Sequence, residues 1–177
     1  MKAFTRNTAS IFLAGLVVFA VMWGGAVAAP AAKLKVGATP VPHAEILEVV
    51  KPILAAKGIA LEIIEFTDYV TPNLALNDGD IDANFFQHVP YLESFAKDRR
   101  LNITYLAKVH IEPMGAYSRR VRSVKDLPNK AKVGIPNDPT NSGRALLLLQ
   151  KAGLIGVDKK AGITATVFDI VSNPKNI

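Results

Sequence analysis

Cysteine is absent from all 177 residues. No disulfide, thiolate metal site or thiol nucleophile can therefore form within them, and no cysteine is present to carry a lipid. The excess of positive charge is also modest, because the sequence has 21 Lys and Arg against 15 Asp and Glu. Residues of the two signs are interspersed. The dense basic run 119–122 is typical of a solvated turn rather than of a nucleic-acid patch, so we expect no nucleic-acid partner.

The N terminus has the pattern of a secretory signal peptide. Lys2 and Arg6 supply positive charge, an apolar run extends from Ile11 to Trp23, and Ala26-Val27-Ala28 offers small residues for cleavage. The apolar run is shorter than the about 20 residues that a membrane span needs. We expect cleavage near Ala28 and a soluble periplasmic (extracytoplasmic) product; a retained N-terminal anchor is the alternative.

Apolar segments alternate with helical patterns along the first half of the mature chain. This alternation is typical of βαβ units around a parallel sheet, and it predicts the α/β class. Pro52 should kink or divide the first helix. The predicted strands are 34–37, 61–66 and a third leading to Phe85, and the predicted helices begin near Pro42, after Pro72 and at Val89.

The second half predicts a further set of elements. A break at His110–Pro113 indicates a crossing between two lobes. Gly153 should end the apolar helix 145–152. The predicted strands are 103–109, 114–117, 132–135 and 164–168.

The segment from Asp80 to Tyr91 combines two carboxylates, two adjacent phenylalanines, amides and a histidine. A core strand disfavours that mixture, because buried polar groups need partners. In parallel sheets, ligands bind beyond the carboxyl ends of the strands. Tyr69, Phe86 and His88 all follow predicted strands, so we expect them at that rim. A strand-to-helix turn with a satisfied histidine is the alternative.

A second candidate group precedes the apolar helix. Its members Asp138, Thr140, Asn141 and Ser142 can each cap a helix. Arg144, expected in the first turn, would bind a carboxylate together with free backbone N–H groups. Alternatively, Arg144 pairs with a neighbouring acid or lies along the surface.

No catalytic motif is found in the sequence. His43, His88 and His110 lie on separate loops, and the H-E-x-x-H, G-x-S-x-G and Gly-rich phosphate motifs are absent. We therefore expect no enzyme, no cofactor and no metal; a metal held by His43, His88 and nearby acids is the alternative, which the spacing does not favour. An exported hydrolase or transferase with His88 as base is the rival hypothesis.

Three motifs resemble the methionine-binding protein family of the NlpA/MetQ type. They are VGATPVPHAE at 36–45, GDIDANFFQH at 79–88 and PNDPTN at 136–141, and the resemblance runs from about Lys33 to Ile177. It implies a two-lobed α/β periplasmic-binding-protein fold, type II-like. It also implies capture of L- or D-methionine and delivery to an ABC permease in the inner membrane.

The resemblance assigns site residues and lobes as well. By position, Tyr69, Phe86 and His88 match the aromatic wall around the methionine thioether, and Arg144 matches the partner of the ligand carboxylate. Family members usually carry a lipid-anchoring cysteine and continue well past the equivalent of Ile177. The resemblance thus implies a first lobe at 29–112, a partial second lobe at 113–177 and a C-terminally truncated chain. A non-functional remnant is the alternative.

Overall fold

The structure of the protein, a computed structural model, describes residues 32–177. The predicted signal peptide and its cleavage site near Ala28 lie outside the described residues. Among residues 32–177, no helix combines the length and the apolar character needed to cross a membrane.

A three-stranded parallel sheet forms the first half of the described chain. Its strands are β1 (Ala32–Ala38), β2 (Ile59–Glu65) and β3 (Ala83–Phe85), in the order β2-β1-β3. The register pairs Ala38 with Glu65 on one side and with Phe85 on the other, so the carboxyl ends of all three strands lie at one edge. The predicted βαβ arrangement is confirmed.

Helices connect and follow these strands. They are α1 (Glu45–Ala55), α2 (Thr71–Asp78), α3 (Val89–Arg99) and α4 (Pro139–Lys151). The predicted division of the first helix is wrong, because α1 continues through Pro52. Pro52 lies in the last turn, so its missing N–H removes a single helical bond, to the carbonyl of Glu48, and only three helical residues follow it. The predicted end of α4 is confirmed, since Gly153 has a φ of +74° and its N–H bonds to the carbonyl of Gln150.

None of the four strands predicted after residue 100 forms in the described part of the chain. Residues 103–109, 114–117 and 132–135 form no strand, and a 3-10 turn (Val124–Asp126) lies between them. A strand needs a hydrogen-bonded neighbour. Within residues 32–177, the backbone of 102–122 makes no backbone hydrogen bond to another segment. Leu106 and Ile111 in this extended segment are each 89% exposed.

The predicted strand 164–168 is also wrong, because local side-chain hydrogen bonds form tight turns there. The residues fall in the 3-10 turns Gly162–Thr164 and Val167–Asp169. Asp169 Oδ2 accepts the backbone N–H of Thr166 at 2.7 Å, which closes a capping box. Such bonds compete with strand pairing. Only β5 (Ile170–Ser172) follows these turns, and it forms a short antiparallel pair with β4 (Gly156–Val157), which precedes them.

Two apolar clusters accompany the two sheets. One contains Phe86, Tyr91 and Phe95, and the other surrounds α4 and β4. The second cluster consists of Leu146, Leu149, Leu154, Ile155, Val157 and Ala165. The lobe boundary between residues 112 and 113 stays a prediction.

A buried amide network fixes α2 against the end of β3. Asn73 is fully buried, and it exchanges two hydrogen bonds of 2.8 Å with the side chain of Gln87. Asn84 Nδ2 donates to Asn73 Oδ1 at 3.0 Å and to the carbonyl of Pro72 at 3.1 Å. The amides of the 80–91 motif therefore position the backbone that leads to His88.

Close packing of α4 requires glycine at position 143. A Cβ there would overlap the carbonyl oxygen of Ile163 and lie 3.1 Å from the backbone nitrogen of Ala165. Backbone atoms cannot yield as a flexible side chain can, so the helix would have to shift.

Gly143→Ala should therefore lower the free energy of unfolding by about 1–3 kcal/mol. Gly134→Ala is the matched control, since no described atom lies within 4 Å of a Cβ at that position. Urea unfolding of both variants measures the effect. Equal stability of the two variants would contradict the packing argument.

Candidate ligand-binding site

Two adjacent phenylalanines at the end of β3 contact two different groups of side chains. Successive side chains of a strand point to opposite faces. Phe85 lies edge-on to His43 with ring centroids 4.7 Å apart, whereas Phe86 faces Tyr69 at 5.9 Å. Two side-chain clusters therefore lie close together at this rim.

An aromatic cluster is centred on Tyr91. Its ring lies 6.1 Å from Tyr69, 6.2 Å from Phe86, 6.5 Å from His88 and 5.7 Å from Phe95. The structure thus brings Tyr69, Phe86 and His88 together, and their role toward a ligand stays a prediction.

Tyr91 is, with Phe95, a member of this cluster that the sequence reasoning missed. Its hydroxyl donates to the carbonyl of Tyr69 at 2.8 Å, and burial raises the pKa of Tyr91 to about 12. The hydroxyl therefore stays protonated and ties α3 to the loop after β2. Its position three residues after His88, at the start of a helix, is the sequence signal that could have indicated this contact.

Arg144 lies one turn further along α4 than predicted. The helix begins at Pro139 with Asp138 as N-cap, so Arg144 is its sixth residue and lies in the second turn. Asp138 accepts the N–H of Asn141 through Oδ1 at 2.9 Å and that of Ser142 through its carbonyl. These two N–H groups are therefore used by the chain itself, while binding of a ligand carboxylate by the other N–H groups at the start of α4 stays a prediction.

The guanidinium of Arg144 bonds to neutral acceptors. Nη1 donates to Asn141 Oδ1 at 2.8 Å, and Nη2 donates to the carbonyl of Glu112 at 2.9 Å. Among residues 32–177, no carboxylate oxygen lies within 4.0 Å of it. Arg144 is thus a half-buried positive charge oriented by neutral oxygens.

His88 is a neutral ring next to this charge. Burial, and after it the charge of Arg144, hold the pKa of His88 below its ordinary value, while Asp138 and Glu112 act in the opposite direction. Its Nε2 atom is buried and has no hydrogen-bond partner among the described residues. The ring therefore offers an unused polar atom, and no hydroxyl nucleophile of residues 32–177 bonds to that atom.

A cleft of about 690 Å³ lies between α3 and the loop that precedes α4. Tyr69, Tyr91 and Phe95 line one side, and residues 137–139 line the other. Of the four predicted site residues, Tyr69 lines this cleft, whereas Phe86, His88 and Arg144 do not. The aromatic cluster therefore forms one wall of the cleft through three of its members.

His43 belongs to the neighbouring cluster rather than to that of His88. Its ring centroid lies 5.3 Å from that of His110, and Phe85 contacts both rings. Burial lowers the pKa of His43, while the charge of Glu112 acts in the opposite direction. Two histidines that the sequence places on separate loops are thus brought together.

The lowered pKa of His88 predicts a loss of stability in acid. As the pH falls through 6.5, the unfolded chain takes up the proton before the folded protein does, so the free energy of unfolding decreases. The free energy of unfolding stops decreasing once His88 of the folded protein has also taken up a proton. His88→Gln should lose less stability than wild type between about pH 7.5 and pH 5.5, as measured by urea unfolding. Equal losses would contradict this prediction.

Comparison with known proteins places the chain in a family. The NlpA lipoprotein family matches residues 34–177. The D-methionine-binding lipoprotein MetQ of Salmonella typhimurium is 44% identical over 145 residues, which are 81% of this chain and 54% of that protein. This chain therefore spans about half the length of the curated relatives it matches.

Solved structures show the same likeness. A nutrient-binding protein from Burkholderia cenocepacia, bound to methionine, has a TM-score of 0.78 at 47% identity, over 81% of this chain and 61% of that one. A periplasmic substrate-binding protein of an ABC transporter from Coxiella burnetii has a TM-score of 0.76 at 44% identity. The match covers 81% of this chain and 60% of that one. The predicted type II-like periplasmic-binding-protein fold is confirmed, and the chain belongs to the NlpA lipoprotein family.

Proposed function

We propose that this protein is an extracytoplasmic solute-binding protein that captures methionine and delivers it to an ABC permease in the inner membrane. One observation carries the proposal. A half-buried Arg144 with no carboxylate within 4.0 Å among residues 32–177 lies beside a half-buried His88, whose pKa is lowered, at the edge of an aromatic cluster.

Arg144 would bind the carboxylate of the amino acid. A guanidinium presents paired donors that match a carboxylate, and such charge-assisted bonds are stronger than bonds between neutral groups. Its present acceptors, Asn141 Oδ1 and the Glu112 carbonyl, orient the group without neutralising it. The positive charge is therefore available to a ligand.

The aromatic cluster would enclose the side chain of the ligand. Sulfur of a thioether makes favourable contacts with aromatic ring edges, so Tyr69, Phe86 and His88 suit methionine better than an acidic side chain. Because the pKa of His88 is lowered, its ring stays uncharged at neutral pH. A neutral wall binds an apolar thioether without the cost of burying a charge.

Binding and release, rather than catalysis, fit this arrangement, and no cofactor is needed for them. The two relatives described above, a D-methionine-binding lipoprotein and a substrate-binding protein of an ABC transporter, support the same proposal. The signal-like N terminus supports export with cleavage near Ala28. Division into lobes at 29–112 and 113–177 would place Arg144 opposite the three aromatic residues, as a clamp requires.

Calorimetric titration of the protein purified from the periplasmic fraction tests the ligand. L-methionine, D-methionine, leucine and glutamate are compared. Methionine should bind more tightly than leucine because of the sulfur–aromatic contacts, and more tightly than glutamate because a second carboxylate would enter an apolar wall. Glutamate binding as tightly as methionine, or the absence of saturable methionine binding, would contradict the proposal.

Variants of the same protein test the two ends of the site. Arg144→Ala should weaken methionine binding by about 2–5 kcal/mol, because the ligand carboxylate loses its charged partner. Phe86→Ala should cost about 1–3 kcal/mol through lost burial. The exposed Arg122 and the 94% exposed Phe168 give matched controls as Arg122→Ala and Phe168→Ala. Wild-type affinity in Arg144→Ala would be evidence against its role.

A further inference from the structure

A cluster of His43, His110 and Glu112 lies next to the ligand-binding site but outside it. One donor atom of each residue lies within 4.8 Å of the others. Glu112 Oε1 is 3.4 Å from His43 Nε2 and 3.0 Å from His110 Nε2. His43 comes from the helical turn Pro40–Ala44 after β1, whereas His110 and Glu112 come from the extended segment 102–122.

The ring of His43 is held in one orientation. Its Nδ1 atom lies 2.7 Å from Thr39 Oγ1, and both side chains are buried. When Nδ1–H donates to the hydroxyl, the Nε2 lone pair points toward Glu112. Histidines that bind metals are oriented in this way, by a hydrogen bond from the second ring nitrogen to an oxygen.

The spacing of the donor atoms fits a small tetrahedral cation. Zinc–ligand bonds of about 2.0–2.2 Å place neighbouring ligand atoms about 3.3–3.5 Å apart. The two distances to Glu112 Oε1 are close to this value, so small side-chain shifts would suffice. A set of two imidazoles and one carboxylate favours Zn²⁺ over Ca²⁺ or Mg²⁺, which prefer oxygen ligands alone.

We propose that His43, His110 and Glu112 bind one Zn²⁺ ion, with a water molecule as the fourth ligand. The ion would join the extended segment to the three-stranded sheet, where backbone pairing does not hold it. Glu112 would then serve two sites, because its carbonyl accepts a hydrogen bond from Arg144 while its carboxylate binds the metal. The proposal does not depend on the identity of the transported solute.

Zinc titration of tag-free, metal-free protein tests the site, with a chromophoric chelator as competitor. We expect one Zn²⁺ per chain and a rise in melting temperature, since binding to the folded protein stabilises it. His110→Gln and Glu112→Gln each remove a direct ligand, so each should weaken binding by more than the roughly ten- to hundredfold that loss of an outer-shell partner costs. Both residues are more exposed than His43, so their replacement should leave the fold intact. Glu93→Gln, at an exposed carboxylate of α3, is the matched control.

Cobalt substitution gives a second readout, because tetrahedral Co²⁺ absorbs visible light far more strongly than octahedral Co²⁺ in water does. Wild type should show this absorption, and Glu112→Gln should lose it. Absence of zinc binding by wild type at high micromolar metal would overturn the proposal. Zinc affinity in His110→Gln and Glu112→Gln equal to that of wild type would do so as well.

Discussion

Parallel pairing of β1 with a strand on each side decides where the functional side chains lie. Ala38 pairs with Glu65 and with Phe85, so the three strands end at the same edge of the sheet. The hydrogen-bonded register prevents sliding, because a one-residue slip would move every side chain to the other face. The His43 turn, the Tyr69 loop and the Phe85–His88 segment are therefore neighbours in space, although they are distant in sequence.

The two clusters at this edge are coupled through adjacent residues. Phe85 packs on the histidine pair while Phe86 packs on the tyrosines. Glu112 makes the second connection, since its carboxylate approaches both histidines and its carbonyl accepts from Arg144. Contacts that involve side chains thus hold residues 110–112, which make no backbone–backbone hydrogen bond to another described segment.

Buried polar groups are tolerated here because they satisfy one another. Asn73, Asn84 and Gln87 would each be costly inside an apolar core without partners. Their mutual hydrogen bonds remove that cost and allow one arrangement of α2 against β3. His88 follows directly on Gln87, so this network sets the position of a candidate binding residue.

The sequence by itself determined the features that depend on nearby residues. The βα alternation, the glycine end of α4, the capacity of Asp138 to cap a helix and the family resemblance could all be read from it, because capping and periodicity act within a few positions. The candidate residues Tyr69, Phe86, His88 and Arg144 were also found from the sequence, through position and resemblance.

Only the tertiary structure decided which distant groups meet. Residues 103–109 have a strand-like composition yet form no strand, because a strand depends on a hydrogen-bonded neighbour that local pattern does not supply. Tyr91 as the centre of the aromatic cluster, the neutral partners of Arg144 and the approach of His110 to His43 likewise depend on long-range packing. These three features have the same physical cause, because contacts between segments far apart in the chain follow from the topology of the sheet and not from local periodicity.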